Sequence, residues 1–311
     1  MITAAVRAYI ANTDYDWYRF LLERPDLDEV NFWRPGTANF QALAPGEPLL
    51  FRLKAPHEAI AGVGFFVHFS LLPVSVAWAT FEAKNGVESE KAMRHRIEKY
   101  RHRLGTAHAG LENYNIGCLV LSEPVFLSEP DWIAEPADWR SNTVAGRGQD
   151  LTRDEGARIW RELMDRLHAK RVGESDAAAR YGASQMIRPR LGQGAFRVLV
   201  TDSYDRRCAL SGERTLVVLE AAHIRPYAQG GAHLITNGLL LRSDLHTLFD
   251  AGYVTVSTEY RFEVSRRIRE EFENGRDYYA FHGHPIRVPS ARDQLPDPVL
   301  LDWHNRNVFR G

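Results

Sequence analysis

Cysteine is almost absent from this 311-residue chain. Two residues, Cys118 and Cys208, stand far apart and no CxxC pair exists. A zinc site built on cysteines is excluded, and a disulfide framework is not expected, which fits a reducing compartment. Long hydrophobic runs are missing too: no apolar stretch approaches the roughly 20 residues that span a bilayer. The first residues, MITAAVRAYIANTDYDW, lack the apolar core and cleavage site of a signal peptide. The expectation is a cytoplasmic protein with no membrane partner. Net charge is also lacking, since 39 basic residues face 40 acidic ones and leave −1. Any nucleic-acid contact must come from local patches. Lysine disappears after Lys170 while arginine stays frequent. Arginine suits bidentate phosphate contacts, although codon bias gives the same pattern.

What is present is 44% hydrophobic residues in a chain long enough for two cores. The first half is rich in aromatics and strand-like. AAVRAYIAN alternates as an opening strand, and DYDWYRFLLER reads as a helix begun near Asp14. PLLFRLK, AIAGVGFFVHFSLLP and NIGCLVLSEPVFL read as strands. Between them, SVAWATFEAKNGVESEKAMRHRIEKYRHRL carries helical periodicity broken at Asn85-Gly86, with Ser89 placed to cap the second helix. Thr152 and Glu155 have capping-box spacing at the start of a further amphipathic helix. Residues 173–189 are small, polar and glycine-bearing, as linkers are. The expected domains are therefore 1–172 and 190–311.

In the second half, QGAFRVLVTDSYDRRCALSG reads as a helix, TLVVLEAAHI as a strand, LLLRSDLHTLFDAG as a helix, and YVTVSTEYRFEV as a hairpin. AAHIRP (residues 221–226) and NGLLLRSDLHTLFD (residues 237–250) place His223, Asn237 and His246 in one short segment. Phosphodiester hydrolysis needs an activated water, neutralised phosphate charge and help for the leaving oxygen. A neutral histidine can do the first, and one divalent cation the other two. His223 is the candidate base, Asn237 the residue that fixes the loop, and His246 the metal ligand. Strand alternation puts Glu220 on the face of Ala222, from where its longer side chain would reach the metal directly or through water. Asp244 is a second carboxylate candidate. His233, in a glycine-rich loop, is expected to be solvent-exposed, and Asp250 to anchor the helix end. Arg225, Arg242, Arg190 and Arg197 are candidates for phosphate contact, with Arg206 and Arg207 beside them. In the first half, Trp33, Trp78, Trp132 and Trp139 are the candidates for a cage that stacks on a flat base.

The ordered segments RLGQGAFR, YDRRCALSG, EAAHIRP and NGLLLRSDLHTLFDAGYV resemble the HNH (ββα-metal) endonuclease family over residues 190–256. That resemblance implies His223 as general base, Asn237 as orienter of the loop and His246 as metal ligand. One departure stands out: many members carry Asp or His just before the first His, where this chain has Ala222. VNFWRPG, PGEPLLFRLK, IAGVGFF and IGCLVLSEPVF make residues 4–150 look similar to EVE domains of the PUA-like superfamily. The implied fold class is α+β, with a PUA-like curved sheet or open barrel followed by an HNH ββα-metal domain. The implied function is that of a modification-dependent restriction endonuclease acting on double-stranded DNA in phage defence, with modified cytosine read by the first half. The implied cofactor is a divalent cation, Mg²⁺ or Mn²⁺ first and Ni²⁺ or Co²⁺ next. A homodimer would supply two active sites for a double-strand cut. Two alternatives remain open: a first half that reads phosphorothioate DNA or a protein partner, and a catalytically degenerate DNA-binding protein.

Overall fold

The computed structural model describes residues 7–24, 26–103, 113–171 and 191–311, with side chains to residue 167 in the third stretch. The chain divides into two compact units, Met1–Arg190 and Leu191–Gly311. The expected linker, 173–189, lies outside the described residues, as does Arg190. Among the described residues no helix is long and apolar enough to cross a membrane.

The first unit is built on one sheet. Its strands are β1 (Arg7–Thr13), β2 (Glu29–Arg34), β3 (Pro48–Leu53), β4 (Ala59–Pro73), β5 (Asn115–Phe126), β6 (Ile133–Ala134) and β7 (Gly146–Asp150). The order is β2-β5-β4-β3-β1-β7, with β6 on β4. All pairs are antiparallel except β1 with β3. The long β4–β5 pair changes register twice, at Val63/Phe65 and Phe66/His68, and such irregularities bend strands. Glycine at 62 and 64 interrupts the apolar run there.

Both faces of this sheet are covered, because both are apolar. Helix α1 (Tyr15–Leu22) sends Trp17, Tyr18 and Leu21 into a core with Phe51, Phe66, Leu121 and Phe126. On the other face Ile10, Leu50, Ile60 and Val63 meet Ile159 and Leu163 of α4 (Asp154–Arg171). Helices α2 (Val74–Phe81) and α3 (Glu90–Arg103) are separated where the sequence breaks them. Gly86 has a left-handed φ of 74°, and a Cβ there would stand 2.1 Å from the Trp17 ring. Ser89 accepts from the Ala92 amide at 3.2 Å, as a cap does. The Thr152–Glu155 capping box does not form. Thr152 bonds Asp150 instead, and Glu155 accepts from Arg158 and the Ala137 amide.

The second unit begins with α5 (Gln193–Ser203), shorter than the periodicity predicts. Strands β8 (Leu219–His223) and β9 (Gly238–Arg242) pair antiparallel, and α6 (Ser243–Asp250) follows at once. LLLR is thus strand rather than helix: Leu239, Leu240 and Leu241 are all buried, and their backbone completes the ladder with β8. The hairpin expected around residue 257 is present as β10 (Val254–Val256) and β11 (Phe262–Val264). Short helices α7 (Arg267–Phe272) and α8 (Arg276–Tyr279) follow, and α9 (Pro298–Asn307) ends the unit, capped by the Asp297 side chain.

Candidate active site

The β8–β9–α6 unit carries the site, and its local packing explains the placement of each side chain. On α6, Leu245 and Phe249 are fully buried one turn apart. His246 and Asp250 follow them by one position each and share the adjacent stripe of the helix. His223 ends β8, opposite Gly238. A Cβ at Gly238 would sit 2.4 Å from Val200 and 3.1 Å from the Phe196 ring. Glycine here lets α5 close on the hairpin, and Phe196 then stacks on His223 at 3.9 Å and 13°.

Asn237 is 1% exposed. Its Oδ1 accepts from the Arg225 amide at 2.9 Å, and its Nδ2 donates to the Arg225 and Ala232 carbonyls at 3.0 and 2.9 Å. All three bonds tie the loop between β8 and β9, and none reaches the His223 side chain. The partner of that ring is His233: Nε2 of His223 lies 3.0 Å from Nδ1 of His233. The expectation of a solvent-exposed His233 is corrected here. The ring is half-buried and stacks on Tyr227 at 4.6 Å and 8°. Burial, followed by the nearby His233 and His246 charges, pushes the pKa of His223 down to about 4, with Asp250 opposing. His223 is therefore neutral at pH 7, the form a base requires.

His246 stands between two carboxylates. Its Nδ1 is 2.6 Å from Glu220 Oε2, and its Nε2 is 3.3 Å from Asp250 Oδ2. Burial works against the charged ring, but the hydrogen bonds and charges of Asp250 and Glu220 outweigh it and raise the pKa. Asp250 was expected only to anchor the helix end; it belongs to the site. Ala222 is 0% exposed, so its position faces the core. Glu220 does not follow it inward, because the burial of β8 breaks strict alternation: Leu219 and Ala222 are buried while Glu220, Ala221 and His223 are half-buried. Glu220 reaches Nδ1 of His246, the ring nitrogen on the other side from Asp250.

Nitrogen and oxygen ligands about 2.0–2.2 Å from one divalent ion lie about 3 Å apart. The His246 Nε2–Asp250 pair has that separation and opens, with His223 and Tyr227, on a cavity of 650 Å³. The donor set fits a divalent cation held by one nitrogen and one carboxylate, with Glu220 fixing the ring from behind. Among the described residues no three His, Cys, Asp or Glu side chains form a closed metal cage.

The arginines divide. Arg242 pairs with Asp244 through two bonds of 2.6 and 2.7 Å. Arg206 pairs with Asp202. Arg197 is half-buried, and burial lowers its pKa against the pull of Glu220. Arg225 remains at the rim, its Nε on the Gln229 carbonyl and its guanidinium 5.2 Å over Trp303.

The first unit holds its own cavity, of 450 Å³. Trp33 lines it, together with Tyr9, Phe32, Phe40 and Tyr100. The other three expected tryptophans do not. Trp78 lies on α2, away from the lining. Trp132 is tied into the core, its Nε1 3.1 Å from the Tyr18 hydroxyl and 3.2 Å from the Leu127 carbonyl. Trp139 is held by the guanidinium groups of Arg52 and Arg147 at 4.7 and 5.3 Å. The cavity has one polar end that sequence reasoning missed. There Asp14 takes bonds from Lys54 and from the Tyr100 hydroxyl, each at 2.5 Å. Asp14 precedes α1, Lys54 follows β3 and Tyr100 lies on α3, and no local spacing links them.

Residues 208–257 match the family model described as HNH endonuclease. No curated protein matches the chain. Among solved structures, ASCH from Zymomonas mobilis is 12% identical with a TM-score of 0.31, covering 50% of this chain and 94% of that one. A modification-dependent TagI restriction endonuclease is also 12% identical, with a TM-score of 0.30, covering 93% of this chain and 78% of that one. The family match spans the strand pair and helix that hold His223, Asn237 and His246. Residues 208–257 of this chain form an HNH endonuclease domain.

Proposed function

We propose that this protein is a metal-assisted DNA endonuclease whose first unit reads a modified base, with modified cytosine as the ligand. The observation that carries the reading is the pairing of a half-buried His223 with a His246–Asp250 pair across one cavity. His223 takes a proton from water through Nδ1, and the water oxygen attacks phosphorus. His246 Nε2 and Asp250 would hold a divalent cation such as Mg²⁺ or Mn²⁺, and Glu220 accepts from His246 Nδ1 and keeps the ring turned. The cation, when bound, neutralises the phosphate and eases departure of the leaving oxygen. Asn237 keeps the loop closed, and Arg225 meets a neighbouring phosphate.

For the reader, support comes from the cavity of the first unit. Its volume suits a small ligand, its walls are aromatic, and its polar end is a carboxylate. Trp33 and Tyr100 would stack on a flipped base, while Asp14 accepts from an exocyclic amine such as that of cytosine.

The test is cleavage by the full chain with Mg²⁺, Mn²⁺, Ni²⁺ or Co²⁺ on unmodified, 5-methylcytosine and 5-hydroxymethylcytosine DNA. Cutting confined to modified DNA is expected. The His223→Ala protein should bind that DNA and cut it at least about 100-fold more slowly. Equal cutting of all three DNAs removes the reader. DNA binding with no cutting under any metal leaves a degenerate module.

A further inference from the structure

We propose that His233 is the positioning residue of the nuclease site: it accepts a hydrogen bond from Nε2–H of His223 and so leaves the Nδ1 lone pair for water. The proposal rests on the reading of His223 as base and assigns what orients it. A neutral imidazole carries one proton, and which nitrogen bears it is set by the partner of the other. In His223 the partnered nitrogen is Nε2, 3.0 Å from His233 Nδ1. Nδ1 of His223 has no hydrogen bond to the described residues.

Asn237 does not perform this task directly, since its bonds go to Arg225 and Ala232. It acts one step away: the bond to the Ala232 carbonyl fixes the backbone beside His233. Stacking holds both rings, Phe196 against His223 at 3.9 Å and Tyr227 against His233 at 4.6 Å. The hydrogen bond between them therefore forms without much further loss of rotamer freedom. When His223 gains the water proton at Nδ1 beside a neutral His233, its Nε2–H becomes a charged donor, and the bond to His233 strengthens. The bond is thus worth more after proton transfer than before, the condition for lowering a barrier.

Three full-length variants test this on whichever DNA the wild type cuts. His233→Phe keeps a ring on Tyr227 and deletes the acceptor. His233→Asn keeps an acceptor near the place of Nδ1. The expected result is a kcat about 10- to 100-fold lower in His233→Phe, with KM and melting temperature little changed, and near wild-type kcat in His233→Asn. Wild-type kcat in His233→Phe, or equal losses in both variants, overturns the proposal. His223→Ala separates the two ideas: wild-type cutting by that variant sinks the base reading, whereas an inactive His223→Ala beside a fully active His233→Phe sinks only the positioning role. Nitrogen-15 shifts of the His223 ring in the wild type at pH 7 give a readout independent of any variant. An Nε2–H tautomer is expected, and an Nδ1–H tautomer refutes the proposal.

Discussion

Asn237 illustrates how a single buried amide can hold a site it does not touch. Its three hydrogen bonds close the loop that returns His233 to His223. In Asn237→Ala the Arg225 amide and two carbonyls, on partly exposed backbone, lose their partners, and each such group left away from water costs about 1–3 kcal/mol. The expected loss of stability is about 2–4 kcal/mol by urea denaturation, with cleavage falling alongside. A loss near zero would mean that the loop is held by other contacts. At the same scale, the placement of His223, Asn237 and His246 in one strand–loop–helix segment was legible from their order in the sequence. Asp250 was legible in principle, standing one helical turn after His246. His233 was not, because glycine-rich loop sequence carries no periodicity from which a direction follows.

Elements show where local pattern is enough and where packing takes over. The hairpin β10–β11 and the break between α2 and α3 follow from alternation and from Asn85-Gly86. LLLR misled, because a short apolar run suits a buried strand as well as a helix, and only the ladder with β8 decides. Helix α9 makes a testable contribution through His304, which is 2% exposed. Its Nε2 lies 3.1 Å from the Phe249 carbonyl, and its ring stacks on Phe249 at 3.8 Å. Burial pushes its pKa down from 6.5 to about 4, against the Phe249 carbonyl bond and Asp250. The unfolded chain then takes up this proton first as pH falls. Stability is unaffected above 6.5 and is lost between 6.5 and about 4. By pH 5 the loss is about 2 kcal/mol. Denaturation midpoints at pH 7.5 and 5 should differ less in His304→Gln than in wild type; equal differences would remove His304 from this role.

At the scale of the whole molecule, the proposed division of labour assigns cutting to Leu191–Gly311 and choice of target to Met1–Arg190. Trp33 and Trp132 separate choice from stability. Trp33→Ala opens the cavity wall, so cutting of modified DNA should drop towards the rate on unmodified DNA while the nuclease site stays intact. Trp132→Ala removes two hydrogen bonds and core packing and should destabilise by about 3–5 kcal/mol. Preference for modified DNA unchanged in Trp33→Ala, measured as a ratio of initial rates, would take the cavity out of target recognition.

By itself the sequence determined the make-up of the proposed cutting site: a histidine at a strand end, an asparagine across a loop, a histidine on the next helix, and alanine at 222. Those are local facts, set by residue type and by the period of one element. Tertiary structure alone decided who faces whom. It set Glu220 against His246 across 26 positions and His233 against His223 across ten. It also turned Trp33 to a cavity while drawing Trp132 into the core. The physical reason is that periodicity tells which face of an element is buried, whereas the partner on that face depends on loop path and close packing.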